Sequence, residues 1–424
     1  MTLDITETFA MANEKMNRSY RKESGLFYGY VVVGASLMIM SIMWAGYNAF
    51  GVFFVPVLNE FGWTRAMTAG AFSLASMINA LLTIAVGGLT DRFGPRIVMT
   101  FSGLLLGLGF VLMSQVQSAS HLYLFYGILV GAGMSGAFVP PLSTVARWFV
   151  KRRGFMTGIV AAGSGIGVLI GPPVASRLVS IYGWRVSYAI LGSAVLFGVI
   201  LLAQLIKRNL SQVGPVIDGE HQTEQRGTSA RAEGLSLKET LHSPRFWVFF
   251  PTGFCYGYCV FSIIVHIVPH AIELKISAVR AANILATIGG LSILGKLLLG
   301  RAGDIIGSRY ILMLGFILMC AALICLVPNK TVWMLFANGG FFGFAFGGIA
   351  VSHSPLIAEL FGLRSHGLIF GVLNISVMAG AATGPLLTGY LFDVTNSYQT
   401  AFLLCGAISF IGIILATFLR TMKS

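Results

Sequence analysis

Apolar runs of about 20 residues recur along this chain, each long enough to cross the roughly 30 Å hydrocarbon layer of a bilayer. They fall near 28–58, 67–90, 96–116, 121–143, 154–178, 187–207, 245–272, 279–302, 309–328, 331–358, 367–390 and 400–420. Runs of this length without period-two alternation read as helices and not as the strands of a membrane barrel. Only 10% of the 424 residues are charged while 56% are hydrophobic, too little charge for the surface of a soluble protein of this size. The reading is an all-α polytopic membrane protein with twelve transmembrane helices.

The net charge of +13 does not point to nucleic acid once it is placed on this topology. Of the 28 Lys and Arg, 21 lie on the side that holds both termini, six on the other side, and Lys296 in between. That bias predicts cytoplasmic termini, with basic loops facing anionic lipid headgroups. Residues 1–26 lack the apolar core of a cleavable signal peptide and read as a cytoplasmic tail. The five cysteines all fall in apolar runs; Cys255 and Cys259 are one turn apart with no further thiol or carboxylate beside them, so packing is expected and neither a metal site nor a cofactor.

Residues 208–244 form one long polar stretch, read as a cytoplasmic linker whose end, "LSLKETLHSPRFW", makes a short surface helix. It separates six-helix bundles at 27–207 and 245–420, with a tail at 421–424. The bundles are repeats. A shift of 213 residues lays "GGLTDRFGPR" on "GRAGDIIGSR", pairing Gly87 with Gly300, Asp91 with Asp304, Gly94 with Gly307 and Arg96 with Arg309. The same shift pairs Gly127 with Gly340, Gly154 with Gly367, Gly158 with Gly371 and Gly171-Pro172 with Gly384-Pro385. Such repeats mark transporters that rock two halves about a midplane site. In the repeated loop, with Arg92 beside Asp91, the Asp is expected to accept from a helix N-terminus or the Arg as a gating latch. The glycines at 163, 165, 167, 171, 380 and 384 serve either close helix packing or a hinge.

Twelve helices in two repeats with this loop element resemble the major facilitator superfamily over nearly the whole chain. Within it, "RWFVKRRGFMTGIVAAG" (147–163) resembles the signature before the fifth helix of the monocarboxylate transporter family, at Phe149, Lys151, Arg152, Arg153, Gly158, Ala162 and Gly163. "GGFFGFAFGG" (339–348) is similar to that family's tenth helix, and the oxalate–formate antiporter group is also close. The resemblance implies transport of small monocarboxylates of the lactate and pyruvate type, often together with a proton. Lys296 stands where the family has a carboxylate-binding Arg. Ser292 replaces the family's proton-linked Asp, Asn48 its first-helix Lys, and Ser354 lies near its selectivity Phe.

The residues themselves agree with an anion site. All 15 Asp and Glu lie in loops, tails or span ends, leaving Lys296, His266, His270 and His353 as the ionisable groups inside. Lys296 either faces an aqueous cavity, as Ser292 and Gly289 on its face suggest, or snorkels to the inner headgroups. Tyr258, Ser262, His266 and His270 recur every four residues, a polar stripe on span seven expected to face the cavity. Tyr123, Tyr126, Asn48, His353, Ser354 and Ser292 are the expected hydrogen-bonding groups around a carboxylate on Lys296. Lys296, His266 and His270 are the candidates for proton coupling, since a buried lysine, unlike arginine, can lose its proton. The expectation is a monomeric proton–monocarboxylate symporter of a bacterial inner membrane. The alternatives are anion exchange with a counter-anion and efflux of amphiphiles, the latter disfavoured by the absence of an acidic pocket. A carboxylate sensor lacks an output domain, and an enzyme lacks a nucleophile–base constellation.

Overall fold

The computed structural model describes residues 28–149, 153–207, 234–328, 331–362 and 364–419, and for Asp91 and residues 153–155 the backbone alone. Helices account for nearly all of the described residues, which contain no strand beyond a single bridge between Gly234 and Gly362. Span one is Tyr28–Asn48 and Phe50–Phe61, broken at Ala49 and stopped by Gly62, whose φ of 66° a side chain would resist. Span two (Arg65–Phe93) starts on Thr64, whose hydroxyl accepts from the Met67 amide. Span three is Pro95–Met113, with proline at its first position, where no amide hydrogen is needed.

Span four is irregular. Ala119–Leu122 leads into a π-helix over Tyr123–Val130, then Gly131–Met134, and after a turn Val139–Trp148. Spans five and six run as Arg153–Gln204, but Gly183 (φ 74°, ψ 165°) turns the chain back on itself. The second set is span seven (Pro244–Glu273), eight (Ala278–Ile306), nine (Ser308–Leu326), ten (Val332–Phe361), eleven (His366–Thr395) and twelve (Gln399–Phe418). Leu237–His242 forms the expected short helix ahead of span seven, with a capping box between Ser236 and Glu239.

The 213-residue repeat is a repeat of contacts. A Cβ on Gly167 would lie 2.7 Å from the Ala45 nitrogen and 2.8 Å from the Ser41 carbonyl. One on Gly380 would lie 2.5 Å from the Tyr258 nitrogen and also against the Phe254 carbonyl, the same two partners shifted by 213. Gly171 and Gly384 repeat the pattern against the carbonyls of Ala45 and Tyr258. Span five therefore crosses span one as span eleven crosses span seven, backbone on backbone. Gly94 and Gly307, the loop glycines, both have positive φ, 89° and 96°. Large side chains such as Leu81, Ile181, Phe197, Leu201 and Phe341 point outward, as a lipid-facing surface requires.

The halves meet along two long seams, span two on eleven and span five on eight, with span seven also touching the second segment of span one.

Candidate functional site: the seam around Lys296 and the closure at the far end

Span eight lies close against span five because glycines line the crossing: a Cβ on Gly289 would be 2.6 Å from the Leu169 nitrogen. This crossing carries Lys296 across the seam, where its ammonium donates to Ser164 Oγ at 3.0 Å. The ammonium also sits 5.6 Å from the centre of the Phe346 ring, within cation–π range. Gly347 allows span ten to pack against the backbone of span eight at Ser292 and Lys296. From Phe346 the rings continue: Tyr256 stacks on it at 6.0 Å, and His353 meets Tyr256 edge-on at 5.4 Å. His353 Nε2 is buried without a hydrogen-bond partner.

Lys296 is half-buried and has no acidic partner among the described residues. An ammonium has three donors, and Ser164 takes one. The arrangement offers one positive charge with free donors, beside an aromatic wall and an unsatisfied imidazole nitrogen. Its chemistry suits a singly charged anion with a small apolar body.

Several expected neighbours are engaged elsewhere. Tyr123 donates to the Met67 carbonyl at 2.9 Å, and the fully buried Tyr126 to the Tyr47 carbonyl at 3.1 Å. Asn48 Nδ2 donates to the Trp44 carbonyl, while its Oδ1 is buried without a partner beside the break in span one. Ser292 Oγ donates back to the Gly289 carbonyl at 2.7 Å, and Ser354 pairs with His366 at the entrance to span eleven. A buried hydroxyl needs an acceptor, and the nearest carbonyl takes it.

The polar stripe of span seven does not face the cavity. Gly380 and Gly384 bring the backbone of span eleven onto Tyr258 and Ser262 and bury them within the second half, while His266 packs against Phe54 of span one and His270 is half-buried at the far end. Tyr256, off that stripe, joins the site from span seven, as does Phe249, whose ring lies 5.9 Å from that of His353. His266 is fully buried, with Nε2 2.9 Å from the Pro385 carbonyl and Nδ1 3.1 Å from the Tyr398 hydroxyl. His270 lies edge-on to Tyr398 and Phe402, its Nε2 without a partner.

In the repeated loops, Gly87 and Gly300 lie near Val139 and Val351. The two arginines are equivalent in space as well as in sequence. Arg96 donates to Gln204 Oε1 at the end of span six, and Arg309 to the Ala416 and Thr417 carbonyls at the end of span twelve. The expected aspartate latch is not made at Asp304, which is exposed and without a hydrogen bond among the described residues. The N-terminus of span nine is instead held by Glu359 of span ten, which accepts from the Ser308 amide at 3.3 Å and its hydroxyl at 2.5 Å. The Asp91 carboxylate lies outside the described residues, and Arg92 extends outward over the Phe93 ring at 5.2 Å. Of the signature residues, Phe149 is buried 5.7 Å from the Tyr30 ring, Gly158 faces open space, and Gly163 packs on the Leu37 carbonyl. Lys151, Arg152 and the Arg153 side chain lie outside the described residues.

Sequence reasoning missed a second polar cluster, at the end of the bundle away from both termini. Arg65 opens span two, and its guanidinium crosses to the other half. There it pairs with Glu273, donates to the Tyr398 hydroxyl at 2.6 Å and lies 3.8 Å over the Phe392 ring. The amides of Arg65 and Ala66 donate to the two oxygens of Asp393 at 2.9 and 2.8 Å, so a carboxylate of span eleven caps span two. Gly389 lets the backbones approach: a Cβ there would be 2.8 Å from the Arg65 carbonyl carbon. This end of the seam is shut.

The sequence model of the family described as Major Facilitator Superfamily matches residues 35–298 and 267–423. The chain belongs to the major facilitator superfamily. Among curated proteins, this member of the superfamily is similar to "Monocarboxylate transporter 12" of Mus musculus, 26% identical over 93% of this chain and 86% of the relative. It is also similar to "Monocarboxylate transporter 11" of Homo sapiens, 27% identical over 90% of this chain and 80% of the relative. Among solved structures it matches a bacterial homolog of the human lysosomal transporter Spinster, in an inward-facing, unoccupied conformation. The TM-score is 0.73 at 16% identity, covering 93% of this chain and 97% of the other, a likeness of fold. The chain is thus an integral membrane transporter of a small molecule, with the all-α fold of that superfamily.

Proposed function

We propose that this superfamily member carries small monocarboxylates of the lactate and pyruvate type together with a proton, by alternating access, and that Lys296 binds the carboxylate. The observation that carries the reading is an ammonium in the seam between the halves whose one hydrogen-bond partner among the described residues is a serine hydroxyl. An unpaired charge there opposes closure, because desolvating it without a counter-charge is costly. A bound carboxylate supplies the counter-charge, and Phe346, Tyr256 and His353 line the apolar end of the substrate. The names of the similar curated proteins support the same substrate class. The positive bias of the loops supports cytoplasmic termini, and the membrane in this reading is a bacterial inner membrane. Lys296, His266 and His270 are the groups available to carry the proton, and the protein works as a monomer.

Uptake of labelled lactate, pyruvate, formate and oxalate into proteoliposomes, with and without an imposed pH gradient, tests this reading. Lactate or pyruvate uptake is expected to follow the gradient in the wild type and to vanish in Lys296→Gln. Full transport by Lys296→Gln overturns the carboxylate site. Uptake indifferent to pH but dependent on an internal anion replaces symport with exchange.

A further inference from the structure

Four groups meet at the shut end in a chain that leaves no freedom about where the protons sit. A carbonyl only accepts, so His266 Nε2, 2.9 Å from the Pro385 carbonyl, carries a hydrogen. Its Nδ1, 3.1 Å from the Tyr398 oxygen, is bare in a neutral ring and accepts a hydrogen bond from the tyrosine hydroxyl. The tyrosine oxygen is then free to accept from Arg65 at 2.6 Å. Arg65 reaches that oxygen from the other half of the protein, 333 residues away, so the chain is complete only when the far end is shut.

We propose that the junction of Arg65, Glu273, Asp393 and Tyr398 is the far-end gate, and that His266 is the proton-binding residue that controls its closure. A proton on Nδ1 puts two hydrogens between that nitrogen and the tyrosine oxygen. The tyrosine hydrogen cannot turn away without facing Arg65, which donates to the other side of the oxygen, and the Tyr398 ring is itself fixed against those of Phe392 and Phe402, 4.5 and 5.5 Å away centre to centre. The new positive charge also faces the Arg65 guanidinium through one oxygen. Other elements packed here do not offset it. Span one presents the Phe54 ring at 5.2 Å, and span eleven the Pro385 carbonyl. Span seven adds His270 one turn on, and the residue capping span twelve is Tyr398 itself. Glu273 and Asp393 lie beyond Tyr398, already engaged by the Arg65 side chain and by the first amides of span two.

The closed gate therefore takes a neutral His266, whereas an open gate exposes the ring to solvent and lets it titrate. The state that binds the extra proton is favoured as pH falls, so acid opens the far end. With an open-state imidazole in the ordinary range near 6.5, the closed-to-open ratio at pH 5.5 should be about tenfold lower than at pH 8. This deepens the proton coupling proposed above and rests on it for its role in transport. The gate can be read without any substrate, so its failure is distinct from a failure of carboxylate uptake.

Spin labels at Gln117→Cys and Thr331→Cys, on loops of the two halves at the far end, report the gate by pulsed dipolar spectroscopy in nanodiscs. The background carries Cys325→Ser, because Cys325 is exposed. In the otherwise unchanged protein the distance distribution should shift toward longer values between pH 8 and pH 5.5. His266→Gln should remove the shift. Arg65→Gln should give the long distance at both pH values, with Asp393→Asn as the milder second variant should Arg65→Gln not fold. A distribution that ignores pH, a shift that survives His266→Gln, or Arg65→Gln and Asp393→Asn variants that stay short would each overturn the proposal.

Discussion

One methyl group, placed at four glycines, tests the repeated helix crossings. Gly167 and Gly380 occupy the same position in the two halves, as do Gly158 and Gly371. At the first pair an added Cβ would sit within 2.7 Å of backbone atoms of the crossing helix, and at the second pair it would meet nothing within 4 Å. Alanine in a helix interior gains about 1 kcal/mol over glycine from propensity. Overpacking a tight contact costs about 1–3 kcal/mol, and here the obstacle is backbone, which cannot rotate away. Gly167→Ala and Gly380→Ala should therefore destabilise, by up to about 2 kcal/mol net. Gly158→Ala and Gly371→Ala should be neutral or stabilise by up to about 1 kcal/mol. Thermal unfolding of the detergent-purified variants, followed by loss of the monodisperse chromatographic peak, ranks the four. Equal Tm values across both pairs, or a loss confined to Gly158 and Gly371, would refute the contact argument.

Three further outcomes are expected. Tyr256→Leu removes a ring between Phe346 and His353 but leaves Lys296 in place. It should raise KM for the carboxylate several-fold, a loss of about 1 kcal/mol of ring contact, with a smaller effect on the maximal rate in proteoliposome uptake. Glu359→Gln leaves the Ser308 amide at the start of span nine without its charged acceptor and should lower stability by about 1 kcal/mol in the same thermal assay. The Glu239 carboxyl is held below the usual carboxylate range by the Ser236 amide and hydroxyl, and next by Arg364. A depressed carboxyl stabilises above its ordinary range and loses that contribution as pH falls through its folded value. The Leu237–His242 helix should therefore keep its amide-exchange protection at neutral pH and lose it in acid below about pH 4.

The repeat could be read from the sequence partly because backbone contact forces glycine, as at 171 and 384; the contact pair Gly167 and Gly380 is not among its landmarks, and Gly158 and Gly371, which are, meet nothing within 4 Å. Lys296 was visible because an isolated charge in an apolar run is costly and therefore conspicuous. The gate was not. Arg65 and Asp393 are 328 residues apart, and each sits at a span end, where charge is ordinary. The stripe from Tyr258 to His270 failed for a different reason. Polar groups at intervals of four mark one face of a helix, but do not say whether that face meets water or another backbone. Gly380 and Gly384, on span eleven, decide that, and nothing in span seven reveals it.

The π-helix of Tyr123–Val130 has no counterpart in the second half, since the matching stretch of span ten lies inside the regular helix Val332–Phe361. Two identical halves, related by an axis along the membrane normal, would bend and yield alike as the carrier rocks. A hydrogen-bond ladder interrupted in span four and continuous in span ten makes the halves mechanically unequal. Any bending at that level of the bundle thus belongs to the first half alone, and the second follows as a stiffer body.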